Sequence, residues 1–252
     1  MDRSRDARRL VSAVKTGIRR LGGTFMKSAE ARGAAARLGL PGFTHYFAGR
    51  GGVLGDVRPD VAATAFAFFS PPFVRDHWQA GRTRLCPEQA ALSYAEVCRA
   101  WGRTHLADFS DVERLAELLW LIARDASAAG LPLFAGWRAF PLPDDAPGRV
   151  AQLAHVLREH RGGLHTIAVL ARGLTPLEAT LARDDGDQRA RFLRWPEPYP
   201  AVTDEVRRRR RAAEELTDDL AAPAYTILDA TQRAELKILL DRAYDRAIHG
   251  RP

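Results

Sequence analysis

The chain has 252 residues, 46% of them hydrophobic and 27% charged, with a formal net charge of +7. That length and composition allow a substantial core in one large or two modest domains and exclude a disordered or low-complexity chain. Its two cysteines, Cys86 and Cys98, lie outside any CxxC and have no histidine at metal spacing, which excludes a disulfide framework and a zinc site and fits a reducing cytoplasm.

No run of about 18 apolar residues is present, so no ordinary transmembrane helix is expected. The basic N-terminus lacks the apolar stretch and cleavage site of a secretory signal. Positive charge invites a nucleic-acid partner, since arginines that neutralise phosphates release counterions. Only Lys15, Lys27 and Lys237 are lysines, however, and an excess of Arg and Ala is also the habit of a GC-rich genome.

Residues 1–27 read as a basic amphipathic helix, with Leu10, Val11, Val14, Ile18 and Leu21 on one side and Arg8, Arg9, Lys15, Arg19 and Arg20 on the other. It is expected to lie on the body of the protein, on a partner chain or on an anionic surface, with Gly22 and Gly23 separating it from the next helix. That helix, short and alanine-rich, runs from Ser28 to Leu38 and ends at Gly39 and Pro41. Gly49, Gly51, Gly52 and Gly55 then predict a loop around Arg50. It lacks the GKS/T of a P-loop and the spacing of a dinucleotide site, and is read as a tight connection presenting Arg50 to an anion.

Pro59 to Phe69 predicts an apolar helix stopped by Pro71 and Pro72, and Phe73 begins another short element. Pro87 to Arg103 is a helix with proline in its first turn. Asp111 to Ala129 is another, with Ser110 and Glu113 at capping-box spacing. The proline- and aromatic-rich stretch from Leu131 to Gly148, which includes Trp137 and Phe140, is expected to be a loop packed over a mouth.

Val150 to Arg172 is the stretch around which the chain is organised. At about 100° per residue, Val150, Leu153, Ala154, Leu157, Leu164 and Ala168 share one face. Arg161 lies inside that stripe, His160 and His165 at its edges, Arg158 just beyond, and Glu159 points away toward water. Such groups cost free energy to bury unless paired. Gly162 and Gly163 interrupt the helix at about 1 kcal/mol each and imply close approach of a backbone or a ligand. Two readings stay open: Arg161 pairs with a buried carboxylate while each histidine meets a carbonyl, or these groups face a ligand pocket.

Thr175 and Pro176 start the next helix, and after Gly186 the composition shifts. Pro196, Pro198 and Pro200 predict an extended segment. Arg207 to Arg211 then lie on a helix flanked by acids, usually a solvated face. Thr231 to Ile248, with Asp229 as its cap, is the last helix. Alternating β-branched stretches are missing, so the expected fold is all-α, a multi-helix globular bundle of eight to ten helices. The expected organisation is the 1–27 helix and then one all-helical domain over 28–252, with 28–135 and 136–252 as possible lobes.

Several blocks taken together resemble an actinobacterial family usually called SalK-like, which commonly carries a helix-turn-helix label. They are YFAGRGGVLG from Tyr46, FAFFSPPFV from Phe66, GLPLFAGWRAFPLPDDAP from Gly130, LREHRGGLH from Leu157, GLTPLEA from Gly173 and ELTDDLAAPAY from Glu215. The resemblance covers most of 46–225 and implies an all-helical fold and a DNA-binding function. Two departures accompany it. Where the family reads RGDGH, this chain has Gly163 and Leu164 between Gly162 and His165, so the acid beside the arginine is missing. The segment between Trp195 and Glu215, which supplies the label, is too short for two helices and a wing, so the helix-turn-helix region reads as shortened or lost.

Three functions fit these residues. The first is a cofactor-independent enzyme of bacterial specialised metabolism, eliminating or displacing an anionic leaving group in a lyase- or cyclase-like step. In it Arg50, Arg158 and Arg161 bind the small anionic substrate, His160 or His165 moves the proton, and Tyr46, Trp137 and Phe140 shape the site, with no metal. The second is a DNA-binding regulator using Arg207, Arg208, Arg210 and Arg211. The third is a non-catalytic subunit docked to a partner through residues 1–27.

Overall fold

The computed structural model describes residues 3–250, and they form thirteen α-helices and no strand. In chain order these are α1 (Arg3–Thr24), α2 (Ala29–Arg37), α3 (Phe43–Gly51), α4 (Pro59–Ala65), α5 (Pro71–Arg82), α6 (Pro87–Leu106) and α7 (Val112–Asp125). They continue as α8 (Pro132–Ala139), α9 (Ala146–Ala171), α10 (Pro176–Leu181), α11 (Gly186–Phe192), α12 (Asp204–Ala221) and α13 (Ala230–His249).

Local chemistry sets most of these boundaries. Proline stands in the first turn of α4, α5, α6, α8, α9 and α10, where a missing N–H costs nothing. The side chains of Ser28, Asp145, Thr175, Thr203 and Asp229 accept from otherwise unpaired N–H groups at the starts of α2, α9, α10, α12 and α13. At Thr175 and Asp229 the capping box is complete, because Glu178 and Gln232 reach back to the cap N–H.

Helix α9 is the axis, packed against α1, α6, α7, α8 and α12. From Val150 to Leu157 every residue is buried, which is why its apolar character runs all round rather than along one stripe. Each of Leu153, Val156 and Leu157 contributes about 1.5–3 kcal/mol by leaving water. The largest hydrophobic cluster draws on residues from Ala7 to Ala247, so α1 and α13 belong to the same core as α9.

Several expectations are corrected. α1 runs unbroken through Gly22 and Gly23. Gly22 serves close packing instead, for a Cβ there would collide with the Ala154 carbonyl of α9. The apolar stripe of α1, Leu10 to Leu21 and then Phe25, is buried in this chain's own core, which removes the surface by which residues 1–27 would dock a partner. Arg50 sits in helix α3, not in a glycine loop, since Gly49, Gly51 and Gly52 abut Tyr94, Trp78 and the Pro87 carbonyl. The stretch after Leu131 folds into α8. Ser110 does not cap α7, as its hydroxyl turns to the Asp111 carboxylate at 3.2 Å.

The contact at Gly22 can be tested directly. We expect Gly22→Ala, which would raise helix propensity in an isolated peptide, to destabilise the protein by about 2 kcal/mol through overpacking, measured as a lower denaturation midpoint.

Candidate functional site

Glu159, placed toward water by helical periodicity, is 2% exposed. The periodicity argument assumes one buried face, whereas α9 is packed on several sides here and Arg50 reaches Glu159 from α3. Arg50 of α3 donates from Nε to Glu159 Oε1 at 2.8 Å and from Nη2 to Oε2 at 2.6 Å, a bidentate fork. Arg158 adds a third donor to Oε1 at 2.7 Å. Arg50 also donates to Tyr46 Oη at 2.8 Å, lies over the Phe66 ring at 4.8 Å, and its carbonyl accepts from Trp137 Nε1 at 3.0 Å. Burial alone would raise the Glu159 carboxyl, but Arg50 and Arg158 outweigh it and hold it at about 2.

Beside this pair opens a cleft of about 1490 Å³. Its walls come from the second half of α1, from α2 and α3, from residues 64–69, and from α8 to α12. Phe43, Phe66, Phe68, Phe69, Phe134 and Phe192 supply apolar rings. Eleven basic side chains line it against two carboxylates, Glu159 and Glu214, so the interior presents a positive field.

Some of that charge is neutralised. Arg161 Nη2 reaches Glu214 at 3.1 Å and Asp218 at 3.0 Å, Lys15 meets Asp218 at 2.6 Å, and Arg183 meets Asp185 at 2.8 Å. Arg19, Arg20, Lys27, Arg32 and Arg189 form no salt bridge among the described residues, although Asp185 acts on Arg189 from a longer distance. Burial and then Arg183 lower the affinity of the Arg19 and Arg189 guanidiniums for their protons, which reports like charge gathered in one space.

The candidate residues separate into two groups. Tyr46, Arg50, Arg158, Arg161 and His165 line the cleft. For Arg161 the carboxylate partner predicted by one reading is present, and the residue still faces the cleft. His165 stacks on Phe68 at 5.4 Å between ring centres, and its Nδ1 lies 3.0 Å from Thr217 Oγ1. Because the Thr217 hydroxyl donates to the Ala213 carbonyl, Nδ1 must be the protonated nitrogen of a neutral His165. Its Nε2 is left as the acceptor, 3.9 Å from Glu214, and burial lowers the proton affinity of the ring.

His160, Trp137 and Phe140 stand outside the cleft. His160 is 4% exposed against the Phe134 ring at 4.7 Å, and burial pushes it down to about 4, so it packs rather than exchanging protons. Trp137 is wholly buried beneath Arg50, with Phe140 against it. In the arginine run, Arg207, Arg208 and Arg211 point outward and Arg208 pairs with Glu205 at 2.6 Å. Arg210 instead turns inward to Glu214 at 3.4 Å and lines the cleft, so it leaves the proposed nucleic-acid surface.

Residues not singled out in the sequence complete the site. Glu214 and Asp218, four apart on α12, supply the acid that the sequence beside Arg161 lacks, and their spacing is the one signal that could have found them. Arg19, Arg183 and Arg189 are assembled by tertiary packing. His45 and Tyr94 also line the cleft at 5% and 2% exposure, and His45 Nε2 and Tyr94 Oη have no hydrogen-bond partner. A Cβ on Gly162 would meet open space on the cleft side, whereas one on Gly163 would strike Leu131. Among the described residues no group of side chains has metal-binding geometry, and no helix is long and apolar enough to cross a membrane.

Two measurements check this geometry. Glu159→Gln leaves two guanidiniums beside a neutral amide, and we expect a loss of about 3–5 kcal/mol in chemical denaturation. Burial lowers His155 to about 3 and His160 to about 4 from an ordinary 6.5. Both rings are neutral when folded, so their contribution is complete above pH 6.5 and is lost as pH falls toward those values. At about pH 5 each should cost about 2 kcal/mol, and His160→Leu should flatten the fall in melting temperature accordingly.

Comparison with known proteins adds one relationship. No curated protein and no solved structure matches the chain. The sequence model of a helix-turn-helix family matches residues 11–197, about three quarters of the length, a span that includes the cleft arginines of α1, α3, α9 and α11 and Arg183. The chain therefore belongs to that helix-turn-helix family.

Proposed function

We propose that this chain is a ligand-binding member of its helix-turn-helix family, holding a small organic anion in the cleft beside α9. The observation that carries the reading is the gathering of eleven basic side chains against two carboxylates, with Arg19 and Arg189 among those that form no salt bridge. A guanidinium without a counterion gains most from a charge-assisted hydrogen bond to an incoming anion. The aromatic lining offers an apolar body a place to lie. A ligand from bacterial specialised metabolism is the class this reading takes.

The catalytic form of this reading is a cofactor-free elimination or intramolecular displacement of the anionic group. It rests on His165, whose unprotonated Nε2 faces the cleft side of α12 and would take the proton while the arginines stabilise the departing anion. His160 has no part in it.

A second reading, a DNA-binding regulator, is favoured by the family match. Arg207, Arg208 and Arg211 on the outer face of α12 support it. Between Trp195 and Glu215 the chain carries only the start of α12, so base reading would have to come from elsewhere. The inner face of α12 lines the cleft through Arg210 and Glu214, so a ligand and a phosphate backbone would act on one helix.

Thermal-shift titration at fixed ionic strength with sulfate, phosphate, small carboxylates and duplex DNA separates these readings. Binding to the folded state raises the midpoint. We expect small anions to raise it in the wild type and to fail in Arg161→Ala and Arg189→Ala. A rise with duplex DNA alone, untouched by either substitution, would replace the ligand reading with the regulator.

A further inference from the structure

The cleft specifies more than negative charge. Arg161 and Arg183 have carboxylate partners and Arg158 shares Glu159, while Arg19 and Arg189 stand unneutralised on the same cavity with Arg183 acting on both. Arg20, Lys27 and Arg32 line the same cleft and form no salt bridge either, so the uncompensated charge facing a ligand there exceeds the single charge that a carboxylate offsets. A phosphoryl group carries nearly two negative charges at neutral pH, and its oxygens match the planar fork of arginine.

A second observation, independent of the arginines, also points to a ligand. Tyr94 Oη and His45 Nε2 are polar atoms on side chains at least nine-tenths buried, both on the cleft wall and both without a partner. A buried polar atom left unpaired destabilises the protein that carries it. Together they ask for a hydroxyl or carbonyl on the far end of whatever enters. Phe66, Phe68 and Phe69 line the same cleft.

We propose that the cleft takes a phosphorylated amphiphile, with its phosphoryl group on Arg19 and Arg189, its apolar body along the phenylalanines, and a terminal hydroxyl or carbonyl on Tyr94 and His45. The assignment rests on the anion-binding reading and narrows it to one class of head group. It places no requirement on His165.

The test is calorimetric titration of the full chain with a homologous series of monoalkyl phosphates and the matching carboxylates, each with and without a terminal hydroxyl. The phosphates should bind about tenfold more tightly than the carboxylates. Arg19→Ala and Arg189→Ala, both at accessible positions, should each erase that preference, while Arg124→Ala, an exposed arginine outside the cleft, should keep it. At one chain length the terminal hydroxyl should improve affinity in the wild type and not in Tyr94→Phe. Equal affinity for phosphates and carboxylates would overturn the phosphoryl assignment and leave an anion cleft standing. Binding of neither class would remove the anion cleft as well. A phosphate preference indifferent to Arg19 and Arg189 would overturn the placement, and a hydroxyl effect unchanged in Tyr94→Phe would overturn the inner station.

Discussion

The bidentate pair between Arg50 and Glu159 is the constraint on which the rest of the site depends. It fixes α3 against α9 at one point, with both oxygens of the carboxylate occupied and both ions nearly out of water. An ion pair so buried contributes less to stability than its short distances imply, because two desolvation penalties oppose the attraction. What it does supply is register. Arg50 can satisfy Glu159, Tyr46 and the ring of Phe66 together only in one arrangement, and that arrangement sets one wall of the cleft at a fixed distance from Arg158.

The remaining charges follow a division of labour across α9. On the α12 side, Glu214 and Asp218 compensate Arg161, Lys15 and Arg210, so that wall is polar and near neutral. Toward α1, α10 and α11, compensation is thin. Excess positive charge inside one protein raises the free energy of the unliganded state through self-repulsion. A protein that tolerates it at a concave, ring-lined surface gains the means to discriminate by charge, and the close packing of α9 elsewhere supplies the stability that the cleft does without.

Much of the fold is legible in the sequence because helix ends are local chemistry. Thr175 and Asp229 as caps and Pro59, Pro87 and Pro176 as first-turn prolines each act within one turn and stand where expected, whereas Pro71, Pro132 and Pro147 open helices where the sequence predicts a stop or a loop. Sequence reasoning fails where a glycine has two uses. Gly22, Gly49 and Gly51 read as breaks, yet each stays helical and lets a neighbour approach closely, which only the tertiary arrangement reveals. For the site, the central helix and the residues Arg158, Arg161 and His165 are visible from periodicity. Glu159 is misplaced by the same periodicity because a helical wheel cannot know that a second layer covers the far side. Arg19, Arg183 and Arg189 lie too far apart in sequence for spacing to relate them.

The position of α9 within the core bears on how the chain is made. Helix α1 is synthesised before the helices its apolar side packs against, α9, α12 and α13, which lie much later in the chain. Until residues 146–171 leave the ribosome, Leu10, Val14 and Ile18 have no native surface to cover them. Contacts of such long sequence separation form late and slowly, and the exposed stripe meanwhile is a target for chaperones or for association with other nascent chains. The many arginines along the outer side of α1 then have a role apart from any ligand, keeping an uncovered amphipathic helix soluble while the rest of the protein is being translated.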